Sequence, residues 1–309
     1  MKKYIIFSIA ILVILKISAC SANNEEIIIP ISKEVSETSP IGQKIEDEEI
    51  LRFVILSNVS IKETYRTHYG FVRLVEKTLG KPVEIIQKKT YDEVLQTFET
   101  GKVDLGFVCG YLSVLGDEKG IMDKLVMPIV DGEKKYTSYI ITKDTEEINS
   151  LFDLQGKSFA FSDPSSFSGY LVPKHLIKTA GFDFDQFFSS SFFTYSHDHS
   201  VAAVANDLVD ATAVYSTSYE KLKSENSPLV KETKVIAEGP YVGNHPIVVN
   251  PEMDEFFREE LKEIFLNMHN DEEGKAVLNR LNYDYFVEVD EDLYYPILSM
   301  INDLGNSDD

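Results

Sequence analysis

LRFVILSNVSIKETYRTHYGFVRLVEKTLGKPVEIIQKKTYDEVLQTFETGKVDLGFVC, residues 51–109, decides the fold class. It opens on a short apolar strand, LRFVILS (51–57). Phe71, Leu74, Val75 and Leu79 then recur at helical spacing over 67–79, and Gly80 with Pro82 ends that helix. VEIIQ (83–87) reads as the next strand, 91–100 as a helix closed by Gly101, and VDLGFVC (103–109) as the third strand. Strands separated by helices pair in parallel through right-handed crossovers, so the chain is α/β.

KLVMPIV (124–130) and YTSYIIT (136–142) are two further strands. A second run of the same kind starts at SFAFS (158–162). It continues through a helix within 165–181, FFTYS (192–196), a helix over 200–208, DATAVYS (210–216) and a helix over 218–223. VIAEG (235–239) and PIVVN (246–250) follow. Asn250-Pro251 then reads as the N-cap and first residue of a long helix, with Phe256, Phe257, Leu261, Ile264 and Phe265 on its buried face. Helices over 272–281 and 292–304 close the chain and pack back on the first run. The two runs suggest two lobes, 51–137 with 247–309 and 138–246, joined by a hinge of two crossings with a cleft between them. One continuous α/β domain accounts for the same elements. No repeat of 20–50 residues is present, which excludes a solenoid.

Upstream of this body, MKKYIIFSIAILVILKISAC (1–20) pairs a basic start at Lys2 and Lys3 with an apolar run from Tyr4 to Leu15. Twelve residues make about 18 Å of helix, too short for a bilayer core of about 30 Å, so residues 1–19 read as an export signal. Ile17-Ser18-Ala19-Cys20 resembles the lipobox of bacterial lipoproteins, which implies cleavage before Cys20, acylation of its sulfur and an extracytoplasmic protein anchored to the cell membrane. An ordinary secretory signal cut near Ala19 or Ala22 is the alternative. From 20 to 50 the chain is rich in Glu and lacks aromatic residues, and reads as a flexible tether with a reach of about 30 Å. Pro30 directly after Ile27-Ile28-Ile29 argues against a strand there.

The 309 residues carry a formal net charge of −21, from 30 Lys+Arg and 51 Asp+Glu. A chain this acidic lacks the basic face that nucleic acid requires. The acids cluster at the ends: after removal of residues 1–19 the charge is −24, of which the tether holds −6 and residues 251–309 hold −13. Only −5 remains over 51–250, where the cleft is expected. Two cysteines, Cys20 and Cys109, exclude a disulfide framework.

Two stretches carry candidate chemistry. In FSDPSSFSGYLVP (161–173) a strand ends at Ser162, Asp163-Pro164 turns, and Ser165, Ser166 and Ser168 precede a helix. Free amides and the macrodipole converge there, an arrangement that suits an anion; plain N-capping uses the same residues. In YSHDHSVAAVANDLVDATAVY (195–215) His197 follows a strand end and Asp210 opens the next strand. His197-Asp198-His199 also raises a metal pair, with no further ligand pattern to support it.

DPSSFSGYLVP, SHDHSVAAVANDLVDATAV and GPYVGNHPIVVNPEM resemble the corresponding spans of phosphonate-binding periplasmic proteins of ABC transporters, a group that includes phosphite and phosphate-ester binders. GKVDLGFVCGYLSV (101–114) and NSLFDLQGKSFAFSDP (149–164) fit the same pattern, so the similarity covers about residues 50–290. It implies a two-lobed type II periplasmic-binding-protein fold that closes on a small oxyanion and delivers it to a permease, acting as a monomer without catalysis, cofactor or resident metal. The family's Ser-Thr-Ser-Gly signature falls on Ser166, Phe167, Ser168 and Gly169, its ligand-facing histidine on His197, and its acidic wall residue loosely on Asp210. From the first lobe it implies Tyr111, with Ser113 beside it, and Tyr65 and Tyr69 on the loop after the first strand. Phe167 replaces the family's Thr. A phenyl ring supplies no hydroxyl donor, so either the ligand differs or the ring turns away and another group substitutes.

Two other functions use the same residues. A hydrolase could be built from Ser166 or Ser168 with His197 and Asp210, but SFSGY lacks the first glycine of a G-x-S-x-G elbow. A surface lipoprotein that senses the ligand, with no role in transport, has the same cleft.

Overall fold

The computed structural model describes residues 28–29, 50–56, 61–145 and 147–305. The signal at 1–19, Cys20 and the tether, apart from 28–29 and 50, lie outside the described residues. Seven strands form one sheet, in the order Ile28–Ile29, Val83–Lys88, Leu51–Leu56, Leu105–Phe107, Ile247–Val249, Asp123–Ile129 and Tyr285–Glu288. Leu51–Leu56 pairs in parallel with Val83–Lys88 on one side and Leu105–Phe107 on the other, as the crossovers require. Five strands form the second sheet, in the order Thr233–Glu238, Ser138–Lys143, Ala211–Tyr215, Ser158–Phe161 and Ser190–Phe193. Its last three strands are mutually parallel. The chain passes between the sheets twice, and the passing segments pair with each other as Lys135–Tyr136 and Val242–Gly243. The fold is therefore α/β in two lobes.

Each lobe receives one antiparallel strand beside its third parallel strand. Ile247–Val249 sits between Leu105–Phe107 and Asp123–Ile129, antiparallel to both. Ser138–Lys143 does the same against Ala211–Tyr215. Side chains alternate across each sheet and bury both faces. The first lobe closes over Phe53, Phe71, Phe107, Phe265 and Phe286, with Phe71 stacked on Phe265 at 5.6 Å. The second closes over Phe159, Phe161, Phe184 and Phe187.

Several expectations need correction. Ile28–Ile29 does pair, antiparallel at the sheet edge opposite Ile86 and Ile85. The first helix runs Ile61–Leu79, six residues longer than its apolar periodicity shows, and so takes Tyr65 and Tyr69 out of any loop. The helix Gly110–Glu118 went unread because Gly110, Leu112, Ser113, Val114 and Gly116 are all buried and leave no polar face to set a period. Asn250 does not cap a helix: its Oδ1 accepts the Glu252 amide at 2.9 Å in a turn, and Asp254 caps Glu255–Asn267 through the Phe257 amide. That shift turns Phe256 outward, 82% exposed, while Leu261 and Phe265 stay buried. The last helix, Tyr295–Gly305, does not rest on one lobe alone. Ile297 and Met300 join Val114 from the first lobe and Phe167 and Val172 from the second in one cluster.

Candidate functional site

Parallel strands in both lobes point their carboxyl ends at the gap between the lobes, the usual place for a ligand in such sheets. A cavity of about 690 Å³ lies there. Leu56, Phe107 and Val108 reach it from the first lobe, and Val214 and Tyr215 from the end of Ala211–Tyr215 in the second.

His197 forms the inner wall. It is the first residue of the helix His197–Ala205, after Ser196, whose hydroxyl makes no capping bond to the helix amides. Its Nδ1 accepts the Tyr215 amide at 3.3 Å, which leaves the proton on Nε2. Burial lowers its pKa to about 4, so the ring is a neutral donor at pH 7. His245 stacks on Tyr215 at 4.4 Å, and burial, then the charge of His197, lower its pKa to about 3. Tyr136 stands edge-on to Tyr215 at 4.6 Å, with its buried hydroxyl unpaired among the described residues. This wall offers hydrogen bonds and aromatic faces without a fixed charge.

The serine loop lies beside it at the lobe interface. Ser158–Phe161 leads to a π-turn, Phe167–Leu171, that continues into the helix Val172–Thr179. Ser166 Oγ accepts the Gly169 amide at 3.1 Å, and the Ser168 carbonyl accepts the Ser138 hydroxyl at 2.6 Å. The Phe167 ring is fully buried against Tyr136, 5.6 Å away, so it turns into the core and only its backbone remains polar. The Tyr195 amide donates to the Ser162 carbonyl at 2.7 Å and ties this loop to the one before His197. Two helix N-termini thus begin side by side: His197 lines the cavity, while Ser166, Phe167, Ser168 and Gly169 are buried behind it and are not part of its lining. The lobes touch at the same place. The Tyr91 amide donates to Asp163 Oδ2 at 3.2 Å, and Cys109 Sγ approaches the Ser165 carbonyl at 3.7 Å. Burial pushes the Cys109 thiol up to about 12, so it stays protonated and unreactive.

Other expected residues fall elsewhere. Asp210 precedes its strand, at the end away from the cleft. Its Oδ2 accepts the Ser158 amide at 2.8 Å and the Ser158 hydroxyl at 2.6 Å. Five strand residues, about 16 Å, separate it from the His197–Tyr215 end, so Ser, His and Asp do not form a triad. Tyr65 and Tyr69 pair with each other at 5.4 Å on the first helix and do not line the cavity; their neighbours Arg66, Thr67 and His68 do. Tyr111 is half-buried between two apolar clusters, and the Ser113 hydroxyl donates to the Gly110 carbonyl at 2.8 Å. His197 is buried while His199 is exposed, and no group of three or more His, Cys, Asp or Glu among the described residues is arranged for a metal.

Sequence reading missed Tyr215, His245, Lys221 and Arg280, which all line the cavity. Tyr215 was findable, as the residue at the carboxyl end of a parallel strand. His245 lies within the quoted GPYVGNHPIVVNPEM. Lys221 and Arg280 carry no local signal. Arg280 also brings the acidic C-terminal region to a cleft expected to lie wholly within 51–250.

A family model for the periplasmic substrate-binding protein of phosphonate ABC transporters matches residues 53–294. The phosphonates-binding periplasmic protein of Escherichia coli K12 is 30% identical over 251 residues, 78% of this chain and 72% of that protein. The binding component of a Pseudomonas aeruginosa ABC phosphonate transporter superposes with a TM-score of 0.76 at 23% identity, over 82% of this chain and 86% of that chain. A Prochlorococcus marinus protein in complex with methylphosphonate gives 0.74 at 22% identity, over 84% and 99%. At that identity the two structures speak for the fold. The family consists of transporter binding components and not enzymes, which sets the hydrolase aside. The chain belongs to the periplasmic substrate-binding proteins of phosphonate ABC transporters.

Proposed function

We propose that this protein captures a small phosphorus oxyanion, a phosphonate, phosphite or related compound, in the inter-lobe cleft and delivers it to an ABC permease. The observation that carries this reading is the pair of helix N-termini at Ser166–Gly169 and His197, side by side at the carboxyl ends of parallel strands. Amides, the Ser168 hydroxyl and the neutral His197 Nε2–H are suitable donors for phosphoryl oxygens. The lobes divide at 137/138 and 246/247, a division that the paired crossing segments support. The molecule acts as a monomer, held outside the cytoplasm by a lipid on Cys20. Cys20→Ser would then move it from the membrane fraction to the soluble fraction, and no change would refute the anchor.

A thermal-shift screen with phosphite, phosphate, methylphosphonate, 2-aminoethylphosphonate and a phosphate monoester tests the ligand class. At least one should raise Tm, and Ser168→Ala or His197→Ala should shrink that rise. No shift with any of them would refute the reading.

A further inference from the structure

The cavity is larger than a bare phosphonyl group needs; about 690 Å³ is the size of pockets that enclose whole organic ligands. Phe107, Val201, Val214, Tyr215 and His245 give it apolar or aromatic walls. Towards the rim the character changes. Thr217, Ser218, Lys221, Leu222 and Glu225 line it at helical spacing from the helix Ser216–Ser224 and its C-cap. Facing them from the other lobe are Arg66 on the first helix and Arg280 at the end of Glu272–Leu281.

Several cations in this chain are paired. Arg52 meets Asp104, Lys77 meets Glu273, Lys124 meets Asp117 and Glu291, and Arg258 meets Asp123. Lys221 and Arg280 have no carboxylate within ion-pair distance among the described residues, although acids outnumber bases 51 to 30. The two acids that line the cavity do not offset them from within. Asp198 is engaged by the Ser196 hydroxyl and the His199 amide, and Glu225 is exposed at the rim. An ammonium on the ligand would therefore find no buried carboxylate, whereas an anion would find one cation from each lobe.

We propose that the ligand carries a second anionic group besides its phosphorus oxyanion, and that Lys221 and Arg280 hold this group from opposite sides of the cleft. The inference rests on the oxyanion reading above. Apolar surfaces accept the spacer between the two charges, and the distal anion links the lobes, so closure is coupled to the length of the ligand.

Isothermal titration of the full chain in detergent tests this with methylphosphonate, 2-aminoethylphosphonate, phosphonoacetate and 3-phosphonopropionate. At least one phosphonocarboxylate should bind about tenfold or more tightly than methylphosphonate and 2-aminoethylphosphonate. The double variant Lys221→Gln/Arg280→Gln should remove that preference and leave methylphosphonate affinity within twofold. Both positions are partly or fully exposed, so neither change threatens folding. Equal or tighter binding of 2-aminoethylphosphonate, or a preference that survives in the double variant, overturns the inference and leaves the oxyanion reading standing. No binding of any phosphonate overturns both.

Discussion

The Tyr215 amide donates to His197 Nδ1 across 3.3 Å, so the backbone of one strand end decides which imidazole nitrogen faces the cleft with a proton. The bond orients the ring, and burial keeps it neutral. That burial also makes the fold sensitive to acid.

His197 and His245 have pKa values lowered by burial to about 4 and about 3. The unfolded chain titrates them near 6.5, so between that pH and the folded values it binds more protons than the native state. Stability from these groups is fully present above pH 6.5 and is lost as pH falls towards 4. His197→Gln removes one such group and should flatten the pH dependence of unfolding free energy in that window by up to about 1.4 kcal/mol per pH unit. Urea unfolding of variant and parent at pH 7, 6 and 5 checks this; parallel curves would contradict it.

Gly169 lies so close to Ser162 that a Cβ on it would stand 1.5 Å from Ser162 Oγ and 2.7 Å from Ser162 Cβ. Gly169→Ala should destabilise the protein by about 1–3 kcal/mol or more and lower Tm by several degrees. Ser162→Gly in the same chain removes both clashing atoms and should recover most of the loss. Calorimetry on the single and double variants decides it, and an additive double variant would show that the strain lies elsewhere.

Asp210 accepts two hydrogen bonds from Ser158, and its carbonyl accepts the Thr142 hydroxyl at 2.7 Å. Asp210→Ala should cost about 1–3 kcal/mol of stability by leaving the Ser158 groups unsatisfied. Ligand affinity at a temperature where the variant is folded should stay within twofold. A tenfold loss of affinity with stability intact would return Asp210 to the binding site.

Local pattern went a long way. Helix 272–281 was legible to the residue, because Asp271 caps it and its apolar positions repeat cleanly. The parallel trio at 51–56, 83–88 and 105–107 followed from strand–helix alternation. Both loops that open the candidate site were marked by Ser, Asp and His after apolar strands. The failures were local signals with two outcomes. Asn250-Pro251 serves a turn as well as a cap, and the choice fell to Asp254 once Phe257 packed. Asp210 looked like a wall residue, yet its place at the start of a strand puts it at the wrong end of the sheet.

By itself, then, the sequence determined the α/β class, the order of elements, the family resemblance and the two adjacent helix starts at the lobe interface, since each depends on backbone preference and burial over a few turns. The tertiary structure decided that Ile247–Val249 inserts between Leu105–Phe107 and Asp123–Ile129, that Phe167 turns into the core against Tyr136, and that Lys221 and Arg280 face one cavity. Those outcomes depend on which surfaces meet when distant segments close on each other. Shape and charge across a gap set them, and no local periodicity encodes either.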